Sequence, residues 1–316
     1  MPHYDMLTQS AEDQSLEEFG RLAVDRLLGN TSAFNFRQVL DRRGFRIGGP
    51  EVFEVVYYSD EVDMPRGFNY WPEDFECNRL AENPGWVETP QNGEVMALKA
   101  RSLEDQIINE RRALLKSNEL FPISSPSRPQ RLYGFGIGEG EFFGKPVAKG
   151  YLLMELLPPG FVSYENFITP RDTLPLSEGF ALVLSLAEII NVMHKAGIAH
   201  GDLEGPGHLE HVYWNPIDKQ LRIIDWSHSD NAAANPSVVH LDQIGLMQVV
   251  GDVMELGAAD PASKNRYLEM KEGIDIDFIN DYEINPKQEG MTYPPTADST
   301  SRLLQDLYDL IEMSLK

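Results

Sequence analysis

Two stretches decide how this chain reads: His200-Gly201-Asp202-Leu203 and Ile223-Ile224-Asp225-Trp226-Ser227. Each sets an aspartate just beyond an apolar element. Between them lie two segments of strand character, Val212-Tyr213-Trp214 and Leu221-Arg222-Ile223-Ile224, around the turn Asn215-Pro216-Ile217-Asp218-Lys219. Asn, Pro and Asp in succession are turn chemistry, so the pair reads as a hairpin. A rigid hairpin with an aspartate near each end holds two carboxylates together on one wall. That arrangement suits phosphoryl transfer. One carboxylate orients or accepts the proton of an attacking hydroxyl, and the other holds magnesium against nucleotide phosphates.

Working outward, residues 177–195 predict a strongly apolar, buried helix, with Phe180, Val183, Leu184, Ala187, Ile190 and Val192 among its members. Downstream, helices are expected over 241–256 and 300–315, the second with Leu303, Leu304, Leu307, Leu310 and Ile311. Upstream, Pro158-Pro159-Gly160 breaks the chain, and a domain boundary falls there. Strands are expected at 131–138, 150–157 and 94–100, with a helix over 103–117. A further strand region covers 45–58, and an amphipathic helix covers 11–28. The stretch 60–93, with Pro65, Pro72, Pro84, Pro90, Trp71 and Trp86, reads as an irregular insertion. Strands first and helices after them make the class α+β, in two lobes, 1–157 and 158–316.

Composition narrows the partners. The chain has 316 residues and a net charge of −23. Such a surface repels phosphate backbones and anionic lipid, so neither nucleic acid nor a membrane is an expected partner. No apolar run is expected to approach a membrane span in length. Residues 1–10 carry no basic region followed by an apolar block, so no secretory signal is read. Cys77 is the single cysteine. An intramolecular disulfide is therefore excluded, and a reducing compartment, cytosol or nucleus, is expected.

At this point the sequence resembles the protein-kinase-like superfamily. Its catalytic loop reads H-R-D-L-x-x-x-N and its metal loop D-F-G, where this chain has His200-Gly201-Asp202-Leu203 and Asp225-Trp226-Ser227. Glycine in place of arginine is similar to the aminoglycoside and small-molecule kinase branch and to fungal kinase-like proteins. Val95-Met96-Ala97-Leu98-Lys99 resembles the strand whose lysine contacts ATP phosphates. The resemblance implies a bilobal fold binding ATP and Mg2+, with Asp202 as catalytic base and Asp225 as magnesium ligand. It implies that Lys99 is paired with Glu110, eleven residues on, Glu104 being the second choice. It also implies an adenine pocket backed by Met154, with the backbone of Glu155 to Leu157 at the adenine edge. Asp242, opening its helix, resembles the aspartate that braces the catalytic loop. The acceptor would be a small molecule or a protein hydroxyl.

Three departures accompany the resemblance. The Gly-rich loop keeps only Gly49, with Glu51 and Glu54 where further glycines belong. Carboxylates there repel phosphate. The metal-binding asparagine is missing: Gly207 stands five residues past Asp202, and His211 occupies the position just before the strand. Histidine can ligate a metal, although magnesium prefers oxygen. Only about a dozen residues separate Ser227 from the helix expected at 241, which leaves little room for an activation segment. Two other readings therefore stay open. One is a pseudokinase, a binding module or scaffold with a protein partner. The other is a zinc-type site, since six of the seven histidines fall between 194 and 240.

Overall fold

The computed structural model describes residues 34–38, 52–57, 87–88, 95–102, 105–142, 145–204, 208–274 and 292–316. The helix expected over 11–28, Gly49, Glu51 and all but Val87 and Glu88 of the 60–93 stretch lie outside the described residues. The class is α+β, built of small, mainly antiparallel sheets and helices. The described residues fall into two compact units. The first holds those up to Arg111 and Arg131–Leu157; the second holds Arg112–Gln130 and Pro158–Lys316.

The first unit is organised by a five-stranded antiparallel sheet. Its strands are β1 (Phe34–Gln38), β2 (Val52–Tyr57), β3 (Val95–Ser102), β5 (Leu132–Phe142) and β6 (Lys145–Glu155), in the order β1-β2-β3-β6-β5. Central β3 is apolar from Val95 to Leu98, and Met96, Ala97 and Leu98 are all buried, as a strand covered on both faces requires. Helix α1 (Asp105–Leu120) belongs to this unit up to Arg111, burying Ile107 and Ile108, and to the second from Arg112, where Ala113 and Leu114 are buried. It starts and ends two to three residues later than its expected span. Strand β1 escaped the sequence reading because Phe34-Asn35-Phe36-Arg37-Gln38 follows no long apolar pattern.

The second unit carries a four-stranded sheet in the order β4-β10-β9-β7. These are β4 (Arg128–Pro129), β7 (Val162–Ser163), β9 (Val212–Asn215) and β10 (Gln220–Ile223). Strands β9 and β10 form the expected hairpin, Val212 opposite Ile223 and Asn215 opposite Gln220. The Asn215 side chain organises its turn, accepting from the amides of Ile217 and Asp218 and donating to the Asp218 carboxylate. A two-stranded pair, β8 (Ile198–Ala199) with β11 (Asp230–Asn231), ties the segment before Asp202 to the segment after Asp225.

Helices supply the rest: α2 (Tyr164–Ile168), α3 (Leu176–Lys195), α4 (Pro236–Leu256), α5 (Pro261–Glu272) and α6 (Ala297–Ser314). Central α3 packs against α4 and α6 and buries eleven of its residues. Its length corrects one expectation: at 20 residues it is long and apolar enough by composition to cross a membrane. A core helix meets the same test, and this one has helices packed on it. Helix α4 begins at Pro236, five residues before its expected start, because proline fits the first helical turn, where no amide partner is lost. Helix α5 was not foreseen. Its sequence is polar, and its start is set by Asp260, whose side chain caps the amides of Ala262 and Ser263 ahead of Pro261. Thr296 caps α6 in the same way, which moves its start from 300 to Ala297.

Candidate functional site

The residues that carry the sequence reading fall into two groups, one in each unit. In the first, β3 places Lys99 opposite Leu152 of β6 and Val52 of β2. Lys99 is buried, and its Nζ lies 2.7 Å from Glu110 Oε2 on α1, a residue also buried. A charge taken out of water is costly unless paired, and Glu110 supplies the opposite charge. Met154 is buried opposite Ala97, and Glu155 stands opposite Met96. The amide of Glu155 donates to the Arg131 carbonyl at 2.9 Å, so it is committed within the unit. Leu157, just past the end of β6, is half-buried.

In the second unit the turn at 200–203 is built from backbone outward. Gly201 has φ +77, a left-handed conformation that disfavours a side chain. A Cβ there would also meet the His228 carbonyl at 2.8 Å. Glycine at this place therefore has a backbone reason. The amides of His200 and Gly201 donate to the two oxygens of Asp242, at 2.7 and 2.9 Å. Asp242 is buried inside α4, not at its start, so an N-cap role is ruled out; it braces the turn. Its Oδ2 also takes His194 Nε2 at 2.8 Å.

His200 is fully buried. Burial pushes its pKa down, and its Nε2 lies 3.0 Å from the Ile224 carbonyl. A neutral ring donating to that carbonyl ties the first turn to the segment that ends at Asp225. Its ring meets Trp226 edge-on, the centroids 4.6 Å apart.

Asp202 follows, with one oxygen 3.2 Å from His211 Nε2. His211 closes the short 3-10 turn His208–His211 that enters β9. Its carbonyl accepts from the Ile224 amide, so the hairpin pairing runs right up to Asp225. Burial of His211 disfavours its charge. The hydrogen bond to Asp202, with the fields of Asp225, Asp202 and Glu210, outweighs that, and its pKa is raised. Ligation of a metal through Nε2 would require breaking the pair with Asp202. Asp225 itself has φ 54 and ψ 64, a left-handed conformation uncommon outside glycine. Strain of this kind concentrates where function over-determines the backbone.

Among the described residues, no group of three or more His, Cys, Asp or Glu side chains is arranged to hold a metal ion. Magnesium takes one or two carboxylates and completes its shell with water and phosphate oxygens. Compared with models of protein families and with curated proteins, the chain matches none. Two residues of the network, His194 and Thr300, were absent from the sequence reading. A histidine near a helix end and a threonine a hundred residues later carry no local signal of partnership.

Proposed function

We propose that the chain has a bilobal protein-kinase-like fold and transfers the γ-phosphoryl group of ATP to a hydroxyl of a small molecule or protein. The observation that carries this reading is the Asp242-braced turn holding Asp202, joined through His200 to the hairpin end that presents Asp225. The buried Lys99–Glu110 pair supports it from the first unit. In this reading Asp202 accepts the proton of the acceptor hydroxyl as its oxygen bonds to the γ-phosphorus. The bond from that phosphorus to the β-phosphate bridging oxygen breaks, and ADP leaves. Lys99 neutralises phosphate charge, Glu110 fixes Lys99, Met154 backs the adenine, and the Glu155–Leu157 backbone lines its edge. Asp225 holds Mg2+, which when bound neutralises charge on the phosphate oxygens.

The strongly acidic surface favours a cationic acceptor over nucleic acid or an anionic membrane. A cytosolic or nuclear setting matches the single cysteine. A second reading, a pseudokinase that binds a protein partner, is favoured by one observation: His211 occupies Asp202 where the resemblance expects an asparagine.

The test is thermal unfolding with ATP alone, Mg2+ alone and both, followed by turnover against a panel of cationic acceptors. The expected outcome is a raised midpoint that requires both ATP and Mg2+, because a ligand that binds only the folded chain stabilises it. Asp202→Asn should then lower turnover by a factor on the order of 100 while leaving the midpoint shift intact. No shift at millimolar concentrations would favour the scaffold reading.

A further inference from the structure

The turn bearing Asp202 hangs on Asp242, and Asp242 is itself held from the C-terminal helix. His194 at the end of α3 is buried with both ring nitrogens engaged, Nε2 to Asp242 Oδ2 at 2.8 Å and Nδ1 to Thr300 Oγ1 at 2.9 Å. Thr300 is also buried, in the first turn of α6. A carboxylate only accepts hydrogen bonds, so the proton between His194 and Asp242 sits on Nε2. At Nδ1 the ring meets the Thr300 hydroxyl at 2.9 Å, so both of its nitrogens are held.

Other contacts hold that hydroxyl in place. The Gln243 amide nitrogen donates to Oγ1 at 3.2 Å, and the hydroxyl reaches the Thr296 carbonyl at 3.2 Å. That carbonyl also accepts the Thr300 amide at 3.0 Å, which its second lone pair allows.

We propose that Thr300 is a positioning residue for Asp202. Its hydroxyl holds the His194 ring at Nδ1, and the ring's Nε2 in turn sets the Asp242 carboxylate on which the amides of His200 and Gly201 hang. The chain of contacts is continuous: α6 to α3, α3 to α4, α4 to the turn. Its geometric part stands alone; its consequence for turnover rests on the phosphotransfer reading.

The test uses the full chain with 15N-labelled histidine and glycine. Imidazole 1H–15N correlations read the His194 ring, and amide resonances report on His200 and Gly201. The expected result is a proton on His194 Nε2 in the unaltered chain. Thr300→Val should shift the ring and both amide resonances, and Thr300→Ser, which keeps the hydroxyl, should restore them. A His194 ring without a proton on Nε2 in the unaltered chain overturns the proposal, whether or not the valine variant folds. Unchanged spectra in a folded Thr300→Val chain overturn it too. In the activity arm, Thr300→Val is expected to lower kcat on the order of ten-fold with the KM for ATP unchanged, and serine should rescue it. If the unaltered chain transfers no phosphate, the functional reading fails while the spectra still decide the relay. If it does transfer phosphate, an unchanged kcat in a folded Thr300→Val chain overturns the positioning role.

Discussion

Asp202 and Asp225 gain their setting from two histidines, His200 and His211. His200 is buried neutral and serves as a bracket from one turn to the next segment. His211 is the opposite case, because carboxylates surround it and hold its proton. A histidine pKa raised on folding means that the folded chain binds the proton more tightly than the unfolded chain does. The resulting stabilisation is complete below the ordinary value of 6.5 and disappears as pH rises through the folded value. The unfolding free energy of the unaltered chain should therefore exceed that of His211→Gln most near pH ~6, and the gap should narrow by pH ~9, read by urea denaturation without added metal. An equal gap at both pH values would mean the ring carries no extra proton in the fold. At this scale the sequence was legible where chemistry and spacing are local, as in His200-Gly201-Asp202. It was silent on Asp202–His211, because the 3-10 turn that brings the ring to the carboxylate has no strong pattern of its own.

Among elements, the contact that positions the site is α4 against the loop after Asp202. Gly245 lies where a Cβ would collide with the Leu203 carbonyl, so the helix approaches backbone to backbone. Asp242, one turn earlier on the same helix, reaches the His200 and Gly201 amides because of that approach. Gly245→Ala should force helix and loop apart and destabilise the chain by about 2 kcal/mol or more, as overpacked sites do. It should also move the His200 and Gly201 amide resonances, checked by chemical denaturation and NMR. An alanine variant of unaltered stability and spectrum would show that the loop yields freely. Elements with strong apolar runs were readable: α3 over most of its length, β3 from Val95 to Leu98 and β6 from Tyr151 to Met154. Helix α5 and the first five residues of α4 were not. The start of α5 rests on the Asp260 cap and Pro261 and that of α4 on Pro236, and their polar or mixed residues gain helical order from neighbours rather than from a face of their own.

For the whole molecule, charge is the dominant statement. A net −23 spread over one chain repels itself, and exposed ion pairs such as Lys116–Glu119, Arg266–Glu269 and Lys316–Glu312 return little against it, because water and salt screen them. Screening should relieve the repulsion, so the unfolding midpoint should rise by several degrees between ~10 and ~200 mM NaCl, read by a thermal melt. A midpoint that falls with salt would show that attractive pairs outweigh the net charge. The α+β class, the hairpin that separates Asp202 from Asp225 and the exclusion of an intramolecular disulfide were legible in the residue order. They rest on periodicity, turn chemistry and counting, which need no partner distant in the chain. Packing alone selected Glu110 for Lys99, set Asp242 inside a helix, and placed His194 and Thr300 behind it. These partners lie between eleven and more than a hundred residues apart, and a buried polar group finds its partner through packing, which local sequence does not encode.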